Sequence, residues 1–246
     1  MDREKPRLGR VQETRLIPLY ARAVENRKEH ALLRDTRAEE IVAAIDYDFG
    51  RFDELPGLTG SLLHAVRTRR QRPRPLVRTR SARVIGLREK FFTDSPRRTM
   101  IAASVTEETW TAEVAPHSSE PYLFVAEAVL PYLHEPEVRQ AFGLLADRFP
   151  GSLLALDTTG PGFLDTQEQH DALSKVEARM RWYCPDPADL TDWHPGTEVV
   201  ASHTLTSLPD PLLAELPAAH QQMMSALAEQ RLPQAEDHRL SLLRLP

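Results

Sequence analysis

The sequence predicts an α/β protein, a largely parallel sheet flanked by helices and preceded by a helical section. Three observations carry that reading. The first fifty residues hold apolar side chains at helical spacing. Beyond residue 100, short unbroken apolar runs at 100–103, 122–126 and 153–156 alternate with helical patterns. Unbroken runs, as opposed to alternating ones, mark strands buried on both faces, as in a parallel sheet. Finally, ten glycines against twenty prolines and no internal repeat rule against collagen-like and Gly-rich repeat architectures.

Each element has its own signal. Leu16, Ile17, Leu19, Tyr20, Ala23 and Val24 form a first helix, with Pro18 in its first turn, where a missing N–H costs least. Thr36-x-x-Glu39 reads as a capping box, followed by Ile41, Ile45 and Phe49, with Gly50 as the stop. A third helix starts after Pro56-Gly57 and runs through Leu62, Leu63 and Val66. Val84, Ile85 and Leu87 lead into a helix at 88–92. Pro136 opens another, with Val138, Phe142, Leu145 and Phe149 inward, and Pro150-Gly151 ends it. Asp165-x-x-Glu168 begins a helix that turns Leu173, Val176 and Met180 inward. Residues 198–205 and 239–245 are expected as a closing antiparallel pair at the sheet edge, with helix at 212–230 between them.

Charge is unevenly placed. The chain carries 31 basic and 36 acidic residues, yet nine arginines and no acid lie between Leu55 and Arg88. The middle of that stretch, from Arg67 to Pro75, lacks apolar periodicity and reads as an exposed loop or linker. Arginines attract nucleic acid, but no aromatic residue lies between Phe52 and Phe91 to serve as a stacking platform. A nucleic-acid partner is therefore not expected. The charged N-terminus leads to no apolar signal segment, and no apolar run approaches the roughly 18 residues that span a bilayer. The single cysteine, Cys184, excludes an internal disulfide and a cysteine-built zinc site. A cytoplasmic setting fits.

In open α/β sheets, ligands bind at the carboxyl ends of strands. Ser104-Val105, Glu127 and Asp157 fall there. Position alone favours a surface or helix-N-terminal carboxylate for Glu127 and a turn residue for Asp157. Other motifs are weak. Nine histidines form no H-E-x-x-H or other close metal pair, so no metal site is expected. There is no G-x-S-x-G elbow, which disfavours a hydrolase, and no G-x-G-x-x-G. In Gly160-Pro161-Gly162 the proline removes the N–H that a phosphate cradle needs. Cys184 shows no local activator and reads as an inert thiol.

Several blocks in combination resemble a known family. They are Leu16-Ile-Pro-Leu-Tyr-Ala-Arg-Ala-Val-Glu, Leu33-Arg-Asp, Ile45-Asp-Tyr-Asp-Phe-Gly-Arg-Phe, Val66-Arg-Thr-Arg and Leu87-Arg-Glu-Lys-Phe-Phe. Further on come Ile101-Ala-Ala-Ser-Val-Thr-Glu-Glu-Thr-Trp, Ala126-Glu-Ala-Val-Leu-Pro-Tyr-Leu and Phe149-Pro-Gly-Ser-Leu-Leu-Ala-Leu-Asp. Together they are similar to the leucine carboxyl methyltransferase family, in its bacterial polyketide O-methyltransferase branch. The resemblance implies a class I methyltransferase, Rossmann-like sheet using S-adenosylmethionine. The acceptor it implies is a carboxylate or phenolic hydroxyl of a polyketide-like small molecule. By the same likeness Arg67 pairs with the cofactor's carboxylate and Arg22 assists. Ser104 and Val105 fall where the family contacts adenine. Glu127 and Tyr132 line the pocket around cofactor and acceptor, and both are the candidates for a catalytic role.

The chain departs from the family between Arg67-Thr68 and Leu87-Arg88. There the family carries its first strand, a Gly-rich G-x-G-L-D-T/S-R turn and a second strand ending in acids. Here a short arginine-rich stretch stands instead, with Arg78, Arg80 and Arg83 near the acidic positions. Arginine has no acceptor for ribose hydroxyls. The expected architecture is thus a helical cap at 1–66, a basic irregular segment at 67–83, and a methyltransferase-like α/β domain at 84–246 lacking the family's first two strands. Two readings follow. One is an O-methyltransferase with impaired cofactor binding, through a deleted or misread coding segment. The other is a non-catalytic interaction protein that uses the arginine segment.

Overall fold

The computed structural model describes residues 3–246 except 30, 32–33, 54–75, 97, 116–120, 171, 205, 215 and 217. The expected third helix and Arg67 lie outside the described residues. The chain forms two compact units, Met1–Ser104 with Asp171–Ala178, and Val105–His170 with Arg179–Pro246. This division differs from the expected one, with its boundaries at 66 and 83.

The first unit opens with α1 (Arg10–Glu13) and α2 (Leu16–Asn26), the latter carrying Pro18 in its first turn as expected. α3 (Thr36–Ala44) packs on α2. The capping box read at Thr36 and Glu39 does not form. Asp35 caps instead, its carboxylate accepting from Ala38 N at 3.0 Å. A carboxylate at that position satisfies an orphan N–H and complements the positive helix end. Glu39 is drawn away, accepting from Asn26 Nδ2 at 2.6 Å and Arg27 Nε at 2.9 Å. The helix also ends before Gly50, because Ile45 is already extended and Phe49–Phe52 forms a separate 3-10 turn. Ile45, Phe49 and Phe52 are buried, and Tyr20 stacks on Phe49 at 5.3 Å.

The stretch expected to be irregular holds β1 (Leu76–Arg80), parallel to β2 (Arg98–Ala102) in register Leu76↔Arg98 to Arg80↔Ala102. Between them lies α4 (Ala82–Arg88), which starts six residues before the helix read at 88–92. Val84 and Ile85 are its buried residues. Strand, helix and parallel strand make a βαβ crossover, so a strand does stand where none was expected.

The second unit contains α5 (Thr109–Val114), β3 (Leu123–Ala126), α6 (Glu135–Arg148) and β4 (Leu153–Thr158). Then come α7 (Pro161–Thr166), β5 (Glu198–Thr204), α8 (Asp210–Leu213), α9 (Ala218–Gln230), α10 (Pro233–Glu236) and β6 (Arg239–Arg244). Its four-stranded sheet runs β3-β4-β6-β5, with β3 and β4 parallel and the rest antiparallel. The closing antiparallel pair is therefore present, with β6 inside the sheet and β5 at its edge. The helix read from Asp165 is shorter and earlier than expected: α7 ends at Thr166, and Leu173–Lys175 is a 3-10 turn. Leu173, Val176 and Met180 are nonetheless buried.

One burial expectation fails. Among the described residues β3 stands at the edge of its sheet, and its Leu123 and Val125 are 60% and 43% exposed. The alternate residue Phe124 faces an aromatic cluster, 4.9 Å from Phe149 and 6.3 Å from Trp110. β4 is the opposite case, with Leu154 and Leu156 almost fully buried among Val138, Phe142, Trp182, Leu190 and Leu243. Each such leucine contributes roughly 1.5–3 kcal/mol of burial free energy. Among the described residues no strand joins the β1–β2 pair to the four-stranded sheet, and no helix is long and apolar enough to cross a membrane.

Candidate functional site

The expected site residues divide between the two units. Arg67 lies outside the described residues. In the first unit, Arg22 sits on α2 with Nε 3.5 Å from Asp35 Oδ2, the same carboxylate that caps α3. Burial pushes the Arg22 guanidinium pKa down, and Asp35 partly offsets this. Its Nε has no hydrogen-bond partner among the described residues. Arg88 on α4 is also lowered, first by burial and then by the positive charges of Arg22, Arg98 and Arg15. It rests on the Phe92 ring, with Cζ 4.8 Å from the centroid, a placement that suits a weakly hydrated cation. Arg80 ends β1, half-buried, and donates to the neighbouring Thr79 carbonyl at 2.7 Å. A guanidinium thus occupies a strand end where the resemblance places an acid. Ser104 follows β2, half-buried, and closes this unit.

Val105 opens the second unit, and its carbonyl accepts from Trp110 Nε1 at 3.3 Å. Glu127 stands immediately beyond β3, half-buried. Tyr132 closes the 3-10 turn Leu130–Tyr132 and is buried. The same turn offers the Pro131 carbonyl to the amides of Arg181 and Trp182, at 2.7 and 3.1 Å. The second unit therefore holds both catalytic candidates within one strand–turn–helix segment.

Tertiary structure adds a cluster that the sequence reading did not assemble. Asp157, in the last turn of β4, is 4% exposed. Its Oδ1 accepts from Ala128 N at 2.9 Å, and its Oδ2 lies 3.6 Å from His238 Nε2. Ala128 has φ +47°, a left-handed conformation that costs a non-glycine residue roughly 1 kcal/mol. The Asp157 bond therefore holds the turn that carries Glu127 in a conformation alanine disfavours. His238 packs its ring at 5.8 Å against Phe163. Among the described residues, the side-chain oxygens of Thr158 and Thr159 and His238 Nε2 are buried without a hydrogen-bond partner. The local sequence placed Asp157 at a strand end and favoured a turn residue over a ligand group. Its partner His238 comes into reach because β6 lies antiparallel beside β4, pairing Thr158 with Arg239.

Next to this cluster Gly160 makes a close approach. Its amide donates to Asp237 O at 3.0 Å, and a Cβ there would lie 2.6 Å from Asp237 Cγ. The Asp237 carboxylate accepts from Phe163 N at 3.1 Å, which fixes the first turn of α7. Gly160 is thus a close-packing point. Cys184 is buried, and its thiol donates to Asp186 O at 3.0 Å. Burial first, then Asp189 and Asp186, pushes its pKa up to about 12, in keeping with an inert thiol. Among the described residues no group of three or more His, Cys, Asp or Glu side chains could hold a metal ion.

Comparison with known proteins gives one close relative in sequence. The chain is 28% identical to the tetracenomycin polyketide synthesis O-methyltransferase TcmP of Streptomyces glaucescens over 243 positions, covering 86% of this chain and 88% of that one. This relative bears out the resemblance drawn from the sequence blocks. Since 86% of 246 residues is about 212, about 30 of the 243 aligned positions face no residue of this chain. No family model matches the chain. Solved structures resemble it loosely. A duf574 family protein of Streptomyces avermitilis has a TM-score of 0.47 at 14% identity, over 69% of this chain and 64% of that one. The chain thus spans less than two thirds of that protein. An S-adenosylmethionine-dependent methyltransferase of Anabaena variabilis gives 0.45 at 11% identity, over 100% and 99% of the two chains.

Proposed function

We propose that this chain, a relative of a polyketide-synthesis O-methyltransferase, is itself an S-adenosylmethionine-dependent O-methyltransferase with a weakened hold on its cofactor. Its acceptor is the carboxylate or phenolic hydroxyl of a polyketide-like small molecule. The single observation that supports this reading is the 28% identity to TcmP across most of both chains. The blocks around Glu127 and Tyr132 lie beyond β3, with Leu130 and Leu133 packed into the core of the second unit.

The weakened hold rests on residue chemistry. The carboxyl end of β1 does not fit a ribose, because Arg80 donates and cannot accept. Arg22 already shares Asp35, so an incoming carboxylate competes with an internal one. The alignment leaves about 30 positions of the relative without a counterpart here, and we assign that gap to the arginine-rich stretch. When bound, the cofactor supplies an activated methyl group, and the protein's part is to position the acceptor and exclude water.

The demand on the protein differs between the two acceptors. A carboxylate is already ionised at neutral pH and needs no base, whereas a phenol gives up a proton as it reacts. Glu127 is the group we assign to receive it, with Tyr132 closing the pocket wall. Titration calorimetry with S-adenosylmethionine tests the weakened hold. The expected dissociation constant is above about 100 μM, a binding free energy weaker than about −5.5 kcal/mol. A low-micromolar constant would sink that part of the proposal.

A further inference from the structure

We infer that Asp157 is a positioning residue, which sets the Glu127 side chain by holding the Glu127–Ala128 turn through a hydrogen bond to Ala128 N–H. This rests on the reading of Glu127 as part of the ligand pocket. Three observations support it. Asp157 is nearly fully buried near the end of β4, yet among the described residues it caps no helix, and His238 Nε2 stands off at 3.6 Å. Carboxylates in such places need a reason to be there. One of its oxygens accepts from Ala128 N at 2.9 Å, and that residue is one of only two non-glycine residues with positive φ among those described. Left-handed backbone persists in alanine only where the surroundings over-determine it, and the Asp157 bond is the contact that does so. Finally, β3 and β4 are parallel neighbours, with Ala126 paired to Leu156, so the two strand ends emerge side by side. Asp157 follows Leu156 as Glu127 follows Ala126. The side chain of one strand end thus locks the backbone of the other.

His238, immediately before β6, faces the arrangement. Its Nε2 lies 3.6 Å from the second Asp157 oxygen, too far for a hydrogen bond. Among the described residues, Asp157 is thus faced by Ala128 N–H from the turn after β3 and by His238 from just before β6.

The test uses the full chain and five variants: Asp157→Ala, Asp157→Asn, Glu127→Gln, Asp157→Ala combined with Ala128→Gly, and Asp157→Ala combined with Glu127→Gln. Amide hydrogen exchange at residue 128 reads the turn, and affinity for a hydroxynaphthoic acid, measured by ligand-observed NMR, reads the site. Asp157→Ala should speed exchange at Ala128 and weaken the probe about five- to tenfold, the scale of one lost hydrogen bond. Asp157→Asn keeps an accepting oxygen and should stay within about twofold. Adding Ala128→Gly should restore most of the affinity, since glycine holds positive φ at no steric cost. In a Glu127→Gln background, Asp157→Ala should add less than about twofold, because the two act on one interaction.

The inference is overturned if exchange at Ala128 is unchanged in Asp157→Ala. It is equally overturned if Glu127→Gln weakens the probe while Asp157→Ala, folded by circular dichroism, does not. If Glu127→Gln leaves the affinity as it was, the pocket reading of Glu127 fails instead, and the positioning role fails with it.

Discussion

Single residues in this protein do different work from what their neighbours in sequence suggest. Gly160 looks like half of a phosphate loop and is a contact point, pressed against Asp237. Gly160→Ala should destabilise the fold by roughly 1–3 kcal/mol, as overpacking does, read from urea unfolding. Cys184 shows the same lesson from chemistry. With its pKa pushed up to about 12, mainly by burial, the thiol stays protonated through the neutral range and titrates only as pH climbs towards that value. A maleimide or disulfide reagent should leave the native protein essentially unlabelled at pH 8 and label it fully in denaturant. Rapid native labelling at pH 8 would show a thiol outside the protective pocket. The Arg80 guanidinium at the end of β1 is the residue-level reason for doubting a tight ribose site.

Elements show where pattern and position part company. β3 and β4 both read as unbroken apolar runs, and on that evidence both read as buried. Their parallel pairing holds, but only β4 has a strand on each side, whereas β3 is an edge with Leu123 and Val125 exposed. Leu154→Ala should therefore cost about 2–5 kcal/mol, and Leu123→Thr within about 0.5 kcal/mol. Comparable losses in urea unfolding would mean that the β3 face is covered. α3 gives a second case. Its start and its buried Ile41 follow from the local pattern, but the cap passed from Thr36 to Asp35. Glu39 is held by Asn26 and Arg27 from the end of α2, a tertiary partner that no local capping pattern announces.

At the scale of the whole molecule, the described strands form a two-stranded sheet in one unit and a four-stranded sheet in the other. The resemblance implies a continuous sheet whose first strand leads into the Gly-rich cofactor turn. That turn is absent from the sequence, and no described strand links the two sheets. Local substitutions such as Arg80→Asp cannot replace several missing backbone donors and close-approach glycines. A graft can. Replacing 67–83 with the corresponding block of TcmP should raise affinity for S-adenosylmethionine at least about tenfold, or about 1.4 kcal/mol, by titration calorimetry. No gain in a folded graft would count against the proposed weakened hold.

The sequence by itself determined the α/β class, the parallel pair β3 and β4, the antiparallel close with β5 and β6, and the likeness to polyketide O-methyltransferases. These are legible locally because strand and helix periodicity, proline starts and family blocks are all written in contiguous residues. It also located Ser104, Glu127 and Asp157 at strand ends, since strand ends follow from strand runs. Tertiary structure alone decided which strand is an edge, that a strand stands at 76–80, and that Asp157 reaches both Ala128 and His238. Those outcomes depend on which strands become neighbours, and neighbours are chosen by packing over the whole chain. A pattern read along the chain records what a residue prefers, whereas the fold decides what it meets.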